Sequence, residues 1–283
     1  MTRDEQTEWQ EGWLKGANGI DLYYRAWRPG SADPRAVIAL AHGFGEHGGR
    51  YSNLVAQLVP HGYAVYALDH QGHGKSRGRR GHVGRWDEYR EGLGALLRLV
   101  GEREPARPLF LMGHSLGGVI VLDYALRHPE GLRGLIASSP ALGRVGVSTL
   151  LRLASRGLSR VWPELTLDTR LDIGTLSRDP EVLRACREDP LVHSLGTPRL
   201  STELDRTVRW VQANARRLDV PFLMFHGTAD RLAYPEERRV FFAHVGATDK
   251  TLLEYEGSYH ETMNDLDHRR VLCDLEAWLE QHL

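Results

Sequence analysis

A chain of 283 residues is longer than one average domain, yet doubly wound α/β proteins of this size commonly fold around a single sheet. Hydrophobic residues at 41% and charged residues at 26% exclude a disordered chain, a collagen-like repeat and a coiled coil. Lys+Arg 36 against Asp+Glu 37 leaves a net charge of -1, so no global field draws in nucleic acid, and any charge effect must be local. The polar, acidic residues 1–8 lack the apolar run of a secretory signal. No stretch approaches the ~20 apolar residues of a membrane span. The expectation is a soluble, cytoplasmic protein. Cys186 and Cys273 stand far apart, without metal-ligand or redox spacing.

Short apolar, β-branched runs alternate with longer helical patterns, the rhythm of a parallel sheet. Residues 20–27 read as a strand of an N-terminal hairpin, and 36–41 as a buried strand entering a glycine-rich loop. Residues 51–60 fit a helix, 63–69 the next strand, and 87–103 a helix carrying Leu93, Leu96, Leu97 and Val100 at helical spacing. Residues 109–113 form a strand, 119–127 a helix and 132–138 another strand. From 142 to 218 the rhythm breaks: helical patterns and two Asp-Pro steps follow one another without a convincing strand. Strands at 220–226 and 250–255 and a helix at 269–282 close the chain. The predicted organisation is an α/β core made of 1–141 and 219–283, a mostly parallel central sheet flanked by helices. A helical lid, 142–218, is inserted at the end of the sheet where such folds bind ligands.

Gly113-His-Ser-Leu-Gly117 falls between a strand and a helix, the setting that makes a G-x-S-x-G match a nucleophile elbow. A chance match is expected roughly 0.1 times in a chain of this composition, so the flanking strand and helix carry much of the weight. A serine hydroxyl near neutral pH needs an imidazole to take its proton and an acid to orient that imidazole. In this fold both come later, on loops after successive strands. Asp230, just after the 220–226 strand, fits the acid, and His260, just after the 250–255 strand, fits the base. His244, His268, His282 and Asp249 sit on or beside helices or ahead of a strand and fit less well. Two backbone amides must hold the oxyanion; Leu116 supplies one and Phe44, in the loop after the early strand, the other. His42 reads as a residue that pins this loop rather than as a second base.

These segments resemble the monoacylglycerol lipases of the α/β-hydrolase superfamily. The similarity runs through His42-Gly-Phe-Gly-Glu-His-Gly-Gly-Arg-Tyr51, Leu68-Asp-His-Gln-Gly-His-Gly-Lys-Ser-Arg-Gly78, Gly113-His-Ser-Leu-Gly-Gly118, Asp189-Pro-Leu-Val192, Gly227-Thr-Ala-Asp-Arg-Leu232 and Tyr255-Glu-Gly-Ser-Tyr-His260, in order. The resemblance implies hydrolysis of a monoacylglycerol to fatty acid and glycerol through an acyl-enzyme on Ser115, with Asp230 and His260. Glu46 and Arg50 match family positions near the polar end of the pocket, where they would hold glycerol hydroxyls or pair with each other. Two positions depart from the vertebrate pattern: Ala233 stands for a cysteine and Met263 for a histidine. No metal, nucleotide or organic cofactor is implied, since the glycine-rich loops have neither Walker nor dinucleotide spacing.

Within the insertion, 100° per residue places Arg152, Arg156 and Arg160 on one stripe. Val147, Leu150, Leu151, Ala154, Leu158, Val161 and Trp162 fall on the opposite arc. Leu150 and Leu151 are therefore candidate acyl-chain contacts, and the arginines candidates for peripheral contact with an anionic membrane or micelle surface. A packed helix with a solvated charged face is the plainer alternative. Lysophospholipase, thioesterase, acyltransferase or peptidase chemistry on the same triad stays open, as does a noncatalytic lipid-binding module. The expected partner is a small lipid ester, not a nucleic acid; oligomeric state is not legible.

Overall fold

Runs such as Ala36–Ala41 and Tyr63–Leu68 are buried along their whole length, as parallel strands covered on both faces must be. The computed structural model describes residues 7–30, 33–143 and 149–283, with the side chains of 149–154 outside that description. In chain order the elements are β1 (Thr7–Lys15), β2 (Asp21–Pro29), β3 (Ala36–Ala41), α1 (Ser52–Leu58), β4 (Tyr63–Leu68), α2 (Asp87–Arg103), β5 (Leu109–His114), α3 (Leu116–Ala125) and β6 (Gly134–Ser138). They continue with α4 (Thr149–Val161), β7 (Leu167–Asp168), α5 (Pro180–Glu188), β8 (Leu195–Gly196), α6 (Pro198–Asn214), β9 (Phe222–Gly227), α7 (Pro235–His244), β10 (Lys250–Tyr255) and α8 (His268–Gln281).

Eight strands form one sheet in the order β1-β2-β4-β3-β5-β6-β9-β10. β1 and β2 form an antiparallel hairpin, β2 meets β4 antiparallel, and every later pairing is parallel. Alternation along each central strand divides the core in two. Val37, Ala39 and Ala41 of β3 pack with α2 and α3 residues such as Leu93 and Ile120. Ile38 and Leu40 pack on the other face with Leu54 of α1 and Leu275 of α8. This is the α/β-hydrolase arrangement the sequence predicts. Its working consequence is that β5, β9 and β10 all deliver their C-terminal loops to the same edge of the sheet.

Between β6 and β9 the chain is mainly helical. α6 opens at Thr197, whose hydroxyl accepts from the Leu200 amide at 3.3 Å, with Pro198 in the first turn. The first Asp-Pro step opens α5 in the same way, through Asp179 and Pro180; the second, at Asp189, follows the end of that helix. The Trp86 amide and indole donate to Glu203 of α6 and Asp123 of α3, at 3.0 and 3.1 Å, joining the insertion to the core. One expectation needs correcting: the insertion does contain strand, because β7 and β8 pair antiparallel. At two residues each they are too short to leave a period in the sequence. α4 begins at Thr149, so the predicted start at 147 and the side chains of Leu150, Leu151 and Arg152 fall outside the described residues.

Candidate active site

β5 ends at His114 and α3 begins at Leu116, so Ser115 alone makes the turn, at φ 51° and ψ -114°. Side-chain-bearing residues seldom adopt that backbone, and strain of this kind persists only where the surroundings impose it. They do so here. The Ser115 amide donates to the Ser138 carbonyl at 3.0 Å, while its own carbonyl accepts from Ala141 at 3.1 Å. The flanking glycines are steric necessities: a Cβ on Gly113 would run into the Gly117 carbonyl, and one on Gly117 into that of Ala41.

Three residues after β9, Asp230 is buried and held at four points. Its Oδ1 accepts the amides of Leu232 and Ala233 at 2.8 and 3.0 Å. Oδ2 accepts Arg238 Nη1 at 2.9 Å and His260 Nδ1 at 2.8 Å. Burial alone would push this carboxyl up, but His260, Arg238 and the Ala233 amide outweigh it and hold the group well below the usual carboxylate range. Because an ionised carboxylate only accepts, the His260 proton sits on Nδ1 and its Nε2 is left as a base. Ser115 and His260 line one cavity. His114 packs ring to ring with His260, centroids 4.8 Å apart, and is pushed down to about 4, by burial first and then by that neighbour.

The loop after β3 carries the other half of the site. His42 Nδ1 donates to the Gly43 carbonyl at 2.7 Å and its Nε2 accepts the His70 amide at 2.9 Å, so both ring nitrogens are committed to holding the loop, as predicted. Glu46 turns back to accept the Gly43 amide at 2.5 Å and the Tyr51 hydroxyl at 2.7 Å. Gly45, at φ 74°, leaves no room for a Cβ against the His193 carbonyl, and its own carbonyl accepts the His193 amide at 2.8 Å. The insertion thus grips this loop directly. The Phe44 and Leu116 amides donate to no protein acceptor among the described hydrogen bonds.

Glu46 and Arg50 do pair, at 3.1 Å, and both line the cavity. Arg50 also makes a two-bonded contact with Glu261, at 2.7 and 2.9 Å, a partner the sequence reading missed. The signal was faint: Glu261 is simply the residue after the proposed base. Burial opposes the charge on Arg50, but the two carboxylates outweigh it and raise its pKa. Met263 and Asn264 close a small side recess beside Glu46, Tyr51, His114 and Glu261. Ala233 lies against the acid instead, lending it an amide.

The cavity holds about 410 Å³, within the range of small-molecule sites. Leu171, Ile173, Leu176, Val192, Leu200 and Leu204 of the insertion, with Phe44 of the core, supply its apolar wall. Val161 and Trp162, expected on the apolar arc of the lid helix, are instead 86% and 60% exposed at the end of α4. Arg156 lies 3.9 Å from Asp205 of α6. Among the described residues, no group of three His, Cys, Asp or Glu side chains is arranged to hold a metal ion, and no helix is long and apolar enough to cross a membrane.

A serine on a strained strand-to-helix turn, with an aspartate and a histidine after later strands of a mostly parallel eight-stranded sheet, defines the α/β-hydrolase class. Residues 32–267 match the sequence profile described as serine aminopeptidase, S33. The chain is 36% identical over 270 residues to a monoacylglycerol lipase of Mycolicibacterium smegmatis, covering 95% of this chain and 96% of that protein. It is 34% identical over 275 residues to a monoglyceride lipase of Rattus norvegicus, covering 95% and 90%. The crystal structure of the Paleococcus ferrophilus monoacylglycerol lipase superposes with a TM-score of 0.85 at 34% identity, covering 93% of this chain and 100% of that one. The chain belongs to the monoacylglycerol lipase family within the S33 α/β-hydrolases.

Proposed function

We propose that this protein hydrolyses monoacylglycerols to a free fatty acid and glycerol. The observation that carries the reading is a strained hydroxyl at the wall of an apolar cavity, sharing that cavity with an imidazole whose far nitrogen is fixed by a buried carboxylate. Ser115 attacks the ester carbonyl while His260 Nε2 takes its proton, and the Phe44 and Leu116 amides receive the charge that develops on the carbonyl oxygen. Protonated His260, supported by Asp230, then gives that proton to the leaving glycerol oxygen. Water, activated by the same imidazole, attacks the acyl-Ser115 carbonyl. Fatty acid leaves and the hydroxyl is restored.

The apolar wall suits a single acyl chain, each buried methylene contributing ~0.8 kcal/mol. Glu46, Arg50 and Glu261 suit a polar head, and Glu46 and Arg50 are the residues proposed to meet the glycerol hydroxyls. Residues 142–218 act as the lid, with Leu150 and Leu151 proposed on the acyl side. The lid also offers peripheral contact with a membrane: Arg156, Arg160, Val161 and Trp162 are exposed together at the end of α4.

Rates over monoacylglycerols of increasing chain length, alongside di- and triacylglycerols, a lysophospholipid, an acyl thioester and an aminoacyl anilide, test the substrate class. Monoacylglycerols should lead. Strong triacylglycerol turnover would show the cavity to be more open than proposed, and a leading rate on another compound would reassign the chemistry. Ser115→Ala should lose about 10⁴-fold or more in kcat and should not react with a fluorophosphonate probe. Unchanged turnover would remove Ser115 from the mechanism. Co-sedimentation with anionic vesicles should weaken when Arg156 and Arg160 are neutralised; indifference to that change would reject membrane contact through α4.

A further inference from the structure

On α7 the buried positions are Pro235, Arg238 and Phe241, so a guanidinium occupies a place where the helical spacing would put an apolar side chain. Arg238 is 0% exposed. It is absent from the cavity wall and therefore touches no substrate. Its Nη1 donates to Oδ2 of Asp230, the same oxygen that accepts His260 Nδ1. Its Nε and Nη2 have no hydrogen-bond partner among the described residues. Burying a cation is costly, so a buried arginine with a single hydrogen-bonded partner calls for an explanation at that partner.

The surrounding charges isolate the pair. On the His260 side stand neutral His114 from β5, Glu261 next in the chain and Glu46 from the loop after β3; both carboxylates are matched by Arg50. On the Arg238 side stand His226 from β9, Glu254 from β10, and Glu236 and Arg239 of α7 itself. Glu254 is matched by Arg239 at 2.7 Å. His226 contacts Glu254 at 2.9 Å, yet burial first and Arg238 second push it down to about 4, so it carries no charge near neutral pH. Among the described groups, Arg238 is the permanent cation committed to Asp230.

Two physical effects follow. Oδ1 is fixed by two backbone amides, but without Arg238 the only partner of Oδ2 among the described residues would be the imidazole itself, which must change charge during each cycle. A positive charge on that oxygen also offsets part of the carboxylate's pull on a protonated ring. We propose that Arg238 is a positioning residue of the acyl-transfer site, locking Oδ2 of Asp230 against His260 and setting how acidic the medium can become before turnover is lost. The proposal rests on the reading of Ser115, His260 and Asp230 as the reacting set.

The test compares the wild type, Arg238→Gln, Arg238→Lys and Ser115→Ala on a short monoacylglycerol, with kcat and KM followed across pH. The second-order rate of fluorophosphonate labelling is read in parallel; it reports only sites that react, so a variant that folds in part still gives a profile. Arg238→Gln should lose about 10-fold in kcat with KM within about twofold, and the acid midpoint of both profiles should rise by about one pH unit. Arg238→Lys should return the midpoint toward that of the wild type. An unmoved midpoint in Arg238→Gln, equal profiles for Gln and Lys, or a loss expressed in KM would each overturn the assignment. If Ser115→Ala is inactive while Arg238→Gln keeps the wild-type profile, only the role of Arg238 falls. If Ser115→Ala still turns over ester, the underlying reading falls with it.

Discussion

A single methyl group at Gly117 is the sharpest test of the elbow's construction. The atom it would meet is the Ala41 backbone oxygen, inside a sheet that cannot shift locally. Gly117→Ala should therefore cost about 2 kcal/mol or more of stability and most of the activity; urea unfolding beside an ester assay would show both. Wild-type stability in this variant would mean that the turn is looser than its backbone angles imply.

At the same scale, acid sensitivity is written into the histidines. Burial holds His42, His70 and His73 well below their usual range, and holds His114 and His226 down to about 4. Below about pH 6.5 the unfolded chain binds protons that the folded one refuses, so stability is complete above that value and drains away as pH falls toward the depressed folded values. The urea midpoint should drop steadily from pH 6.5 to 4. A flat midpoint over that window would mean that these rings are solvated. Ser115, Asp230 and His260, the proposed reacting set, stood out in the sequence because each follows a strand at a glycine-marked turn. Arg238 did not, although its spacing of three from Phe241 already put it on the inward face of α7.

Among elements, the loop from β3 to α1 is held by a network of hydrogen bonds and ion pairs in addition to the packing of Phe44 and Tyr51. Glu46 joins the Gly43 amide, the Tyr51 hydroxyl and Arg50, and Arg50 reaches across to Glu261. Glu46→Leu would leave Arg50 with one carboxylate and the Gly43 amide with none, and removing one partner of a buried pair typically costs about 3 kcal/mol. Activity should fall further than stability does, because the Phe44 amide rides on this loop; a variant with full kcat would argue against Phe44 as an oxyanion donor. Sequence could name Glu46 and Arg50 but could not choose between substrate contact and mutual pairing, since that choice turns on Glu261, 211 residues away from Arg50. The boundaries of the parallel strands were close to the mark, because fully buried runs stop abruptly. β1 was harder to see: its burial alternates between half-buried and exposed, and polar residues dominate it.

For the molecule as a whole, the alternating pattern of runs was enough to give a mostly parallel sheet with a helical interruption, and the interruption is where legibility ended. Its strands are short, its caps are local, and its contacts are made to distant parts of the core. Leu171, Ile173, Leu176, Leu200 and Leu204 line the cavity, yet none of them stood out beforehand, because an apolar residue facing an empty space has the same periodicity as one facing a core. Enlarging that wall, for instance Leu204→Ala, should shift the preferred acyl chain upward by a few carbons with little change in the Ser115 labelling rate. A parallel loss on every chain length would instead mean that Leu204 supports the fold.

The hydrogen bond from the His193 amide to the Gly45 carbonyl, with the close approach of the two backbones there, couples the proposed roof to the loop after β3. Exchanging roofs among relatives to alter specificity is therefore not a matter of swapping residues 142–218 alone. A transplanted roof that meets a foreign 43–47 segment would bring a mismatched seam to the very turn whose Phe44 amide is proposed to face the reacting oxygen. Hybrids that carry the two segments together should keep their turnover, while those that separate them should bind ester and process it slowly.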